Sequence, residues 1–406
     1  MDTALVDMPL LIAMSHFMHM PLTFASGVAF AGVVLAALGL LQGLFGLAFL
    51  ARFLHRARRE RGQAQTLAGP AISVLKPLHG DEPLLEAALA SFFAQDYPAF
   101  QIVFGVQDPN DPAIAVVERL RARFPACDAR LVIDATQHGT NRKISNLINM
   151  MKNARHELLV VADSDIHTTP DYLRSVQAAL ATPGTGMVTT LYTGLPADRS
   201  LAARIGASQI NHAFIPGVLI GRALGREDGL GATMALTRAT LDRIGGFAAL
   251  ADHIADDAVL AAKVRELGLA VRLAPTIPAT TVAEHGLRDL CRRELRWARV
   301  NRSLAPLSYA ASVAQYPLAF ALVTLASAPG AAWAWGWFAF CWLLRGASAR
   351  GIDHALALTP RAPVALLPLR DLLSVAAVVM SFAGDKVYWR GEVVVVEPPP
   401  SLSPKM

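Results

Sequence analysis

The stretch LLVVADSDI, Leu158–Ile166, decides how the chain reads. Five apolar residues in a row fit a strand buried on both faces, as in a parallel sheet. Asp163 and Asp165 follow at once, where the carboxyl end of such a strand faces a ligand. Upstream, AISVL (71–75), QIVFGV (101–106) and RLVI (130–133) are apolar runs of the same kind, also reading as buried strands. Helix-length segments fall between them: after Asp81-Glu82-Pro83, after Asp111-Pro112, around Arg142–Lys152, and from Pro170 onward. Strands alternating with helices predict one α/β domain with a mostly parallel sheet. No internal repeat or low-complexity segment interrupts it.

Outside this domain the composition points to a membrane. Of the 406 residues, 53% are hydrophobic and only 17% charged, against about 25% charged in a soluble domain. Disorder, a collagen-like fibre and a disulfide-stapled secreted module are excluded. The net charge of +5 is mild and implies no nucleic-acid partner. Cys127, Cys291 and Cys341 stand far apart without a CxxC, which argues for a reducing compartment and against a structural metal site.

Gly27 to Ala51 is an uncharged run long enough, at ~1.5 Å per residue, to cross a ~30 Å hydrocarbon core. Asp2 and Asp7 stand where a signal peptide would be basic, and no small-residue cleavage site comes after it, so the run reads as a retained anchor. Arg52, Arg56, Arg58, Arg59 and Arg61 come next and place the domain C-terminal to them in the cytoplasm. Leu304 to Leu344 is again uncharged, and Pro329-Gly330 within it suggests a hairpin of two spans. Trp333, Trp335, Trp337 and Trp342 are interfacial or packing residues there, and Arg345 and Arg350 return to the cytoplasm.

Pro363 to Gly384 is apolar but interrupted by Arg370-Asp371. The clean remainder is too short to span, which predicts a tilted or interfacial helix. The expected organisation is therefore an N-terminal region 1–61 with its anchor at about 27–51 and a catalytic domain at 62–303. A hairpin at 304–345 and a C-terminal region 346–406, with its helix at about 363–384, complete it.

Several segments could carry chemistry. Asp163 and Asp165 can both reach one divalent cation and the phosphates it carries, and an ordinary turn is the other reading. Asp108 ends the second strand run, in VQDPNDP. Asp256-Asp257 opens a helix through Leu260 and Val264. His138-Gly139-Thr140-Asn141-Arg142-Lys143 is either an anion-binding helix start or a capped basic surface helix. Gly229 to Met234 is a glycine-dense approach to a strand, where backbone could press on a ligand, or a plain loop. From Gly286 to Arg302 a basic amphipathic helix is predicted. Leu287, Leu290, Cys291, Leu295 and Ala298 share one face; Arg288, Arg292, Arg296 and Arg299 share the other. Arg293 and Trp297 are neighbours along one edge with Arg296 beside them, serving the membrane, a substrate phosphate, or both.

In this order the pieces resemble the family 2-like membrane glycosyltransferases with a GT-A domain, and most of all the ceramide glucosyltransferase family, glycosyltransferase family 21. That family carries an aspartate in a VQD segment, a second in a DS-x segment, a third in an E/D-D segment and a (Q/R)-x-x-R-W signature. Here these are Asp108, Asp163, Asp257, and Arg293, Arg296 and Trp297. The resemblance runs over roughly residues 70–303 and the flanking anchors. Asp165 and Asp256 stand where the animal members have glycine and glutamate. These changes look like those of bacterial relatives, some of which glycosylate hopanoids instead of ceramide.

The resemblance implies a GT-A fold, a nucleotide-diphospho-sugar transferase with a Rossmann-like mixed sheet. It also implies a multi-pass protein of the bacterial inner membrane with a cytoplasmic catalytic domain. The implied reaction is an inverting transfer, from a UDP-sugar to a lipid hydroxyl, giving a β-linked glycolipid. Glucose and ceramide come first; UDP-N-acetylglucosamine with a hopanoid is the alternative, and a processive polysaccharide synthase a more distant one. Asp257 is then the general base. Asp108, Lys143, Asp163, Arg293, Arg296 and Trp297 would bind the donor, and Asp163 and Asp165 would hold Mg²⁺ or Mn²⁺.

Overall fold

The computed structural model describes residues 8–64, 69–389 and 392–395. Asp2, Asp7 and the chain beyond 395 lie outside the described residues. The domain is built on a seven-stranded sheet in the order β3-β2-β1-β4-β8-β6-β9. Its strands are β1 (Ile72–Pro77), β2 (Phe100–Val106), β3 (Asp128–Ile133), β4 (Leu158–Ala162), β6 (Thr185–Thr189), β8 (Thr233–Thr237) and β9 (Ala270–Leu273). β5 (Ile166–His167), β7 (Thr193–Pro196) and β10 (Ala279–Val282) form a second, small sheet with β10 central.

β1 to β4 pair in parallel, whereas β8 runs antiparallel to both β4 and β6. The sheet is thus mixed, with one reversed strand. β1 and β4 are buried throughout because helices cover both faces. The run RLVI differs from expectation. β3 begins earlier, at Asp128, and forms the sheet's edge, so it is only half buried and leaves Ile133 49% exposed.

The N-terminal anchor is part of one helix, Met8–Ala64. By length and composition Ala25–Gly62 and Val364–Ser381 can each cross a membrane. Pro306–Gln315 and Pro317–Ser327 would make a third span if counted as one, but they are bent by 67°. The break falls at Pro317, whose ring cannot continue the preceding helix. The rest of the expected hairpin falls on the helix Ala332–Ala355, which runs on past Arg345 and Arg350 and is not among the candidate spans of the described residues. Trp333 and Trp335 on it are more than half exposed, while the Trp342 indole donates to the Val364 carbonyl at 2.8 Å.

Small residues let these helices approach. A Cβ on Gly39 would lie 2.3 Å from the Ala314 carbonyl oxygen, so only glycine fits there.

Arg370 and Asp371 do not interrupt the last apolar segment as its sequence suggests. Both are buried in protein: Arg370 pairs with Glu294 at 2.6 and 2.5 Å, and Asp371 accepts from the Leu318 amide at 3.1 Å. With these charges turned inward, the segment continues as a 3₁₀ turn, Val364–Leu366, and a helix, Leu367–Ser381. At ~1.5 Å per residue that gives an apolar rod of about 27 Å.

Candidate active site

Asp163 and Asp165 stand just past β4, at the carboxyl edge of the parallel strands. The Lys143 ammonium lies 2.9 Å from Asp163 Oδ1 and 3.0 Å from Asp256 Oδ2, bridging the two. Its placement comes from the segment before it. Asn141 caps the helix Arg142–Met150 by accepting from the Ile144 amide at 3.1 Å, and its own amide group donates to the His253 carbonyl at 2.7 Å. The Thr140 amide donates to Asp252 Oδ1 at 2.9 Å. A Cβ on Gly139 would lie 2.6 Å from the Ala251 carbonyl oxygen. The His138–Lys143 segment is therefore stitched to residues 251–253, immediately ahead of Asp256. Burial disfavours the Lys143 cation, but Asp163 and Asp256 more than offset it and hold it protonated beyond the usual lysine range.

Asp165 accepts from the Thr280 hydroxyl at 2.5 Å. Burial and the neighbouring Asp163 charge push its carboxyl up to about 7. Under this turn lies Lys76, at the end of β1, fully buried and 4.1 Å from the Phe92 ring centre. Its ammonium donates to the Asp163 and Ser164 carbonyls, and burial brings it down to about 7. Lys76 escapes a reading by motif. The one signal is a lysine directly continuing the buried run AISVL.

Asp256 and Asp257 open the helix Asp256–Glu266, where carboxylates suit the helix dipole. Burial, and then the Asp256 charge, raise the Asp257 carboxyl to about 7 against the pull of Lys143. Gly231 fits between the two acidic arms. A Cβ there would lie 3.3 Å from Asp257 Oδ2 and 3.9 Å from Asp163 Oδ2. The glycine-dense approach to β8 thus presses against carboxylates.

The helix Leu287–Leu304 closes the other wall. Its buried side is centred on Leu290, Glu294 and Ala298, while Cys291 and Leu287 are exposed. This corrects the purely apolar face expected from the sequence. The physical reason is Arg370, whose guanidinium makes a buried Glu294 tolerable. Arg293 pairs with Glu284 at 2.8 Å and lies 4.9 Å from the Trp297 ring centre.

A cleft of about 850 Å³ joins these parts. Its lining includes Lys143, Asp163, Asp165 and Asp257 from the sheet side, Arg293, Arg296 and Trp297 from the helix wall, and Tyr316, Ser374 and Ala377 from the apolar segments. Asp108 is not among its lining residues. It is exposed at the end of β2, two strands from β4, and Oδ1 accepts from the Asn110 amide at 2.8 Å. Among the described residues no group of three or more His, Cys, Asp or Glu could hold an ion by itself. Asp163 and Asp165 are hard oxygen donors of the kind that bind Mg²⁺ or Mn²⁺ together with substrate phosphates, for which one or two carboxylates suffice.

A mixed sheet with its carboxylates gathered at the strand ends, beside helices apolar enough for a membrane, is the architecture of a membrane-associated GT-A protein. Glycosyl transferase family 21 matches residues 32–402, and the chain belongs to that family. It is 24% identical over 241 residues to ceramide glucosyltransferase 1 of Caenorhabditis elegans, covering 58% of this chain and 51% of that protein. It is 34% identical over 112 residues to the ceramide glucosyltransferase of Komagataella phaffii, covering 26% and 22%. The chain thus matches about half or less of the length of these relatives. Among solved structures, a Pyrobaculum calidifontis mannosyltransferase in complex with GDP-Man and Mn²⁺ is similar, with a TM-score of 0.47. The sequences are 19% identical, and the alignment covers 86% of this chain and 99% of that one.

Proposed function

We propose that the protein transfers a hexose, glucose first of all, from a UDP-sugar to a membrane-lipid hydroxyl with inversion, giving a β-linked glycolipid. The observation that carries this is the single cleft running from the carboxylates at the sheet edge to helices 306–315 and 367–381. A soluble donor and a lipid acceptor can meet in such a space.

Asp257 takes the proton of the acceptor hydroxyl as its oxygen bonds to the anomeric carbon. The bond from that carbon to the diphosphate breaks in the same displacement, and UDP leaves with the electron pair. A carboxyl at about 7 suits this work near neutral pH. Asp163 and Asp165 would hold Mg²⁺ or Mn²⁺, which when bound supplies positive charge for the diphosphate. Lys143 fixes the spacing of the Asp163 and Asp256 arms, with donor phosphate as a further contact. Arg296, and Arg293 against Trp297, face the donor from the helix wall; Asp108, outside the cleft at the exposed end of β2, is left only the far, uridine part of the donor. The arginines after Ala51 favour the cytoplasmic side for residues 52–303, and the likeness to bacterial members favours a bacterial inner membrane.

Purified protein given labelled UDP-glucose or UDP-N-acetylglucosamine, with ceramide or a hopanoid polyol, tests this. A β-glucosyl ceramide is the expected product. A β-N-acetylglucosaminyl hopanoid would keep the reaction and change both substrates. A long polymer, or no lipid product from any pair, would defeat the proposal.

A further inference from the structure

A second cavity, about 200 Å³, shares no lining residue with the catalytic cleft and lies against β7 and the connection 356–363. At that size it falls below the ~300–1,000 Å³ of a drug-sized pocket, so it suits a headgroup-sized ligand rather than a nucleotide sugar. Arg204, on the helix Leu201–Gln209, and Arg361, on the connection, both line it. Neither guanidinium has an ion-pair or hydrogen-bond partner among the described residues, and the Arg204 Nε is buried.

Among the described residues Asp353 is the one carboxylate lining the cavity, and it is already engaged. Its Oδ1 faces His212 Nε2 at 2.7 Å, and its Oδ2 accepts from the Ala362 amide at 2.7 Å, with Arg350 at 3.7 Å. Ser208 Oγ lies 3.0 Å from His212 Nδ1. This chain of Ser208, His212 and Asp353 is buried and serves to fasten the connection, not to present a nucleophile. Two unpaired arginine forks beside a carboxylate already engaged by His212, the Ala362 amide and Arg350 leave a site for a tetrahedral oxyanion.

Its position in the chain identifies the source of that anion. The connection joins the helix Ala332–Ala355 to the apolar segment Val364–Ser381, which can cross a membrane. Residues at such a junction lie at headgroup depth, where basic side chains meet lipid phosphate. The geometry points to Arg204 and Arg361 as a binding site for the phosphate of an anionic membrane lipid. This site is separate from the catalytic cleft and independent of the reaction proposed above.

The test measures binding of short-chain phosphatidic acid, short-chain diacylglycerol and glycerol 3-phosphate to the full chain in detergent, by native mass spectrometry. Charged hydrogen bonds of this kind correspond to roughly tenfold or more in affinity. Phosphatidic acid is therefore expected to bind at least about tenfold tighter than diacylglycerol. Arg204→Gln/Arg361→Gln should abolish that preference while sugar transfer in detergent is unchanged. Arg361 is exposed, so Arg361→Gln alone should fold normally and weaken phosphatidic acid binding several-fold. Equal binding of phosphatidic acid and diacylglycerol would overturn the site, as would undiminished phosphatidic acid affinity in the Arg361 variant. Glycerol 3-phosphate binding as tightly as phosphatidic acid would overturn the lipid assignment in favour of a soluble phosphate ester.

Discussion

Lys143 holds Asp163 at 2.9 Å, and so ties the end of β4 to the N-terminus of the Asp256–Glu266 helix, whose Asp256 it reaches at 3.0 Å. One cation thus sets the separation of the two acidic arms between which Gly231 is seated. Losing one partner of a buried pair costs ~3–5 kcal/mol, and Asp163 is partly exposed, so the low end applies. Lys143→Met is expected to lower the melting temperature clearly. It should also move the acid limb of the pH–rate profile upward, because Lys143 holds the Asp257 carboxyl down. A profile that stays in place would show that the arms do not depend on this bridge.

The raised Asp257 carboxyl gives a directional pH dependence. A general base works only when deprotonated, so kcat/KM should rise with pH and level off above about 7. Asp257→Asn should remove that limb and cost ~10²–10⁴-fold in rate, with donor affinity within a few-fold. Asp256→Asn should cost less, since its carboxylate faces Lys143. If the Asp256 variant is dead and the Asp257 variant turns over normally, the base is misassigned by one position.

Much of this arrangement is legible in the sequence. β1, β2 and β4 are buried on both faces and so appear as largely apolar runs, with Asp163 and Asp165 at the open end of the last. β5 has two residues and β7 and β10 four each, too short to show any period. The clamp role of Lys143 is hidden because its partners come from distant elements. Hydropathy likewise counts Arg370 and Asp371 as interruptions, since it registers charge but not partners; Glu294 lies 76 positions away from Arg370.

Chelation separates a cation site from a turn at Asp163-Ser164-Asp165. With Mg²⁺ or Mn²⁺ removed, turnover is expected to stop and to return on re-addition. Asp163→Ala should weaken donor binding, as measured by calorimetry. Full activity in excess chelator would leave the pair as a turn supported by Lys76.

The last prediction concerns Glu294 and Arg370, which join the cleft wall to the final apolar helix. Both are buried, and Ser374, which accepts from the Arg370 guanidinium at 3.0 Å, donates to Gln209 at 3.0 Å. Glu294→Gln leaves a buried guanidinium without its counter-charge, a change that typically costs ~3–5 kcal/mol. The helix carrying Arg293, Arg296 and Trp297 should then loosen from the helix beside it. Donor affinity should fall along with thermal stability. Replacing both partners together, Glu294→Leu with Arg370→Met, removes both desolvation penalties and should recover most of the stability. If the single and double variants melt alike, the pair contributes no coupling and the wall is held by apolar packing alone.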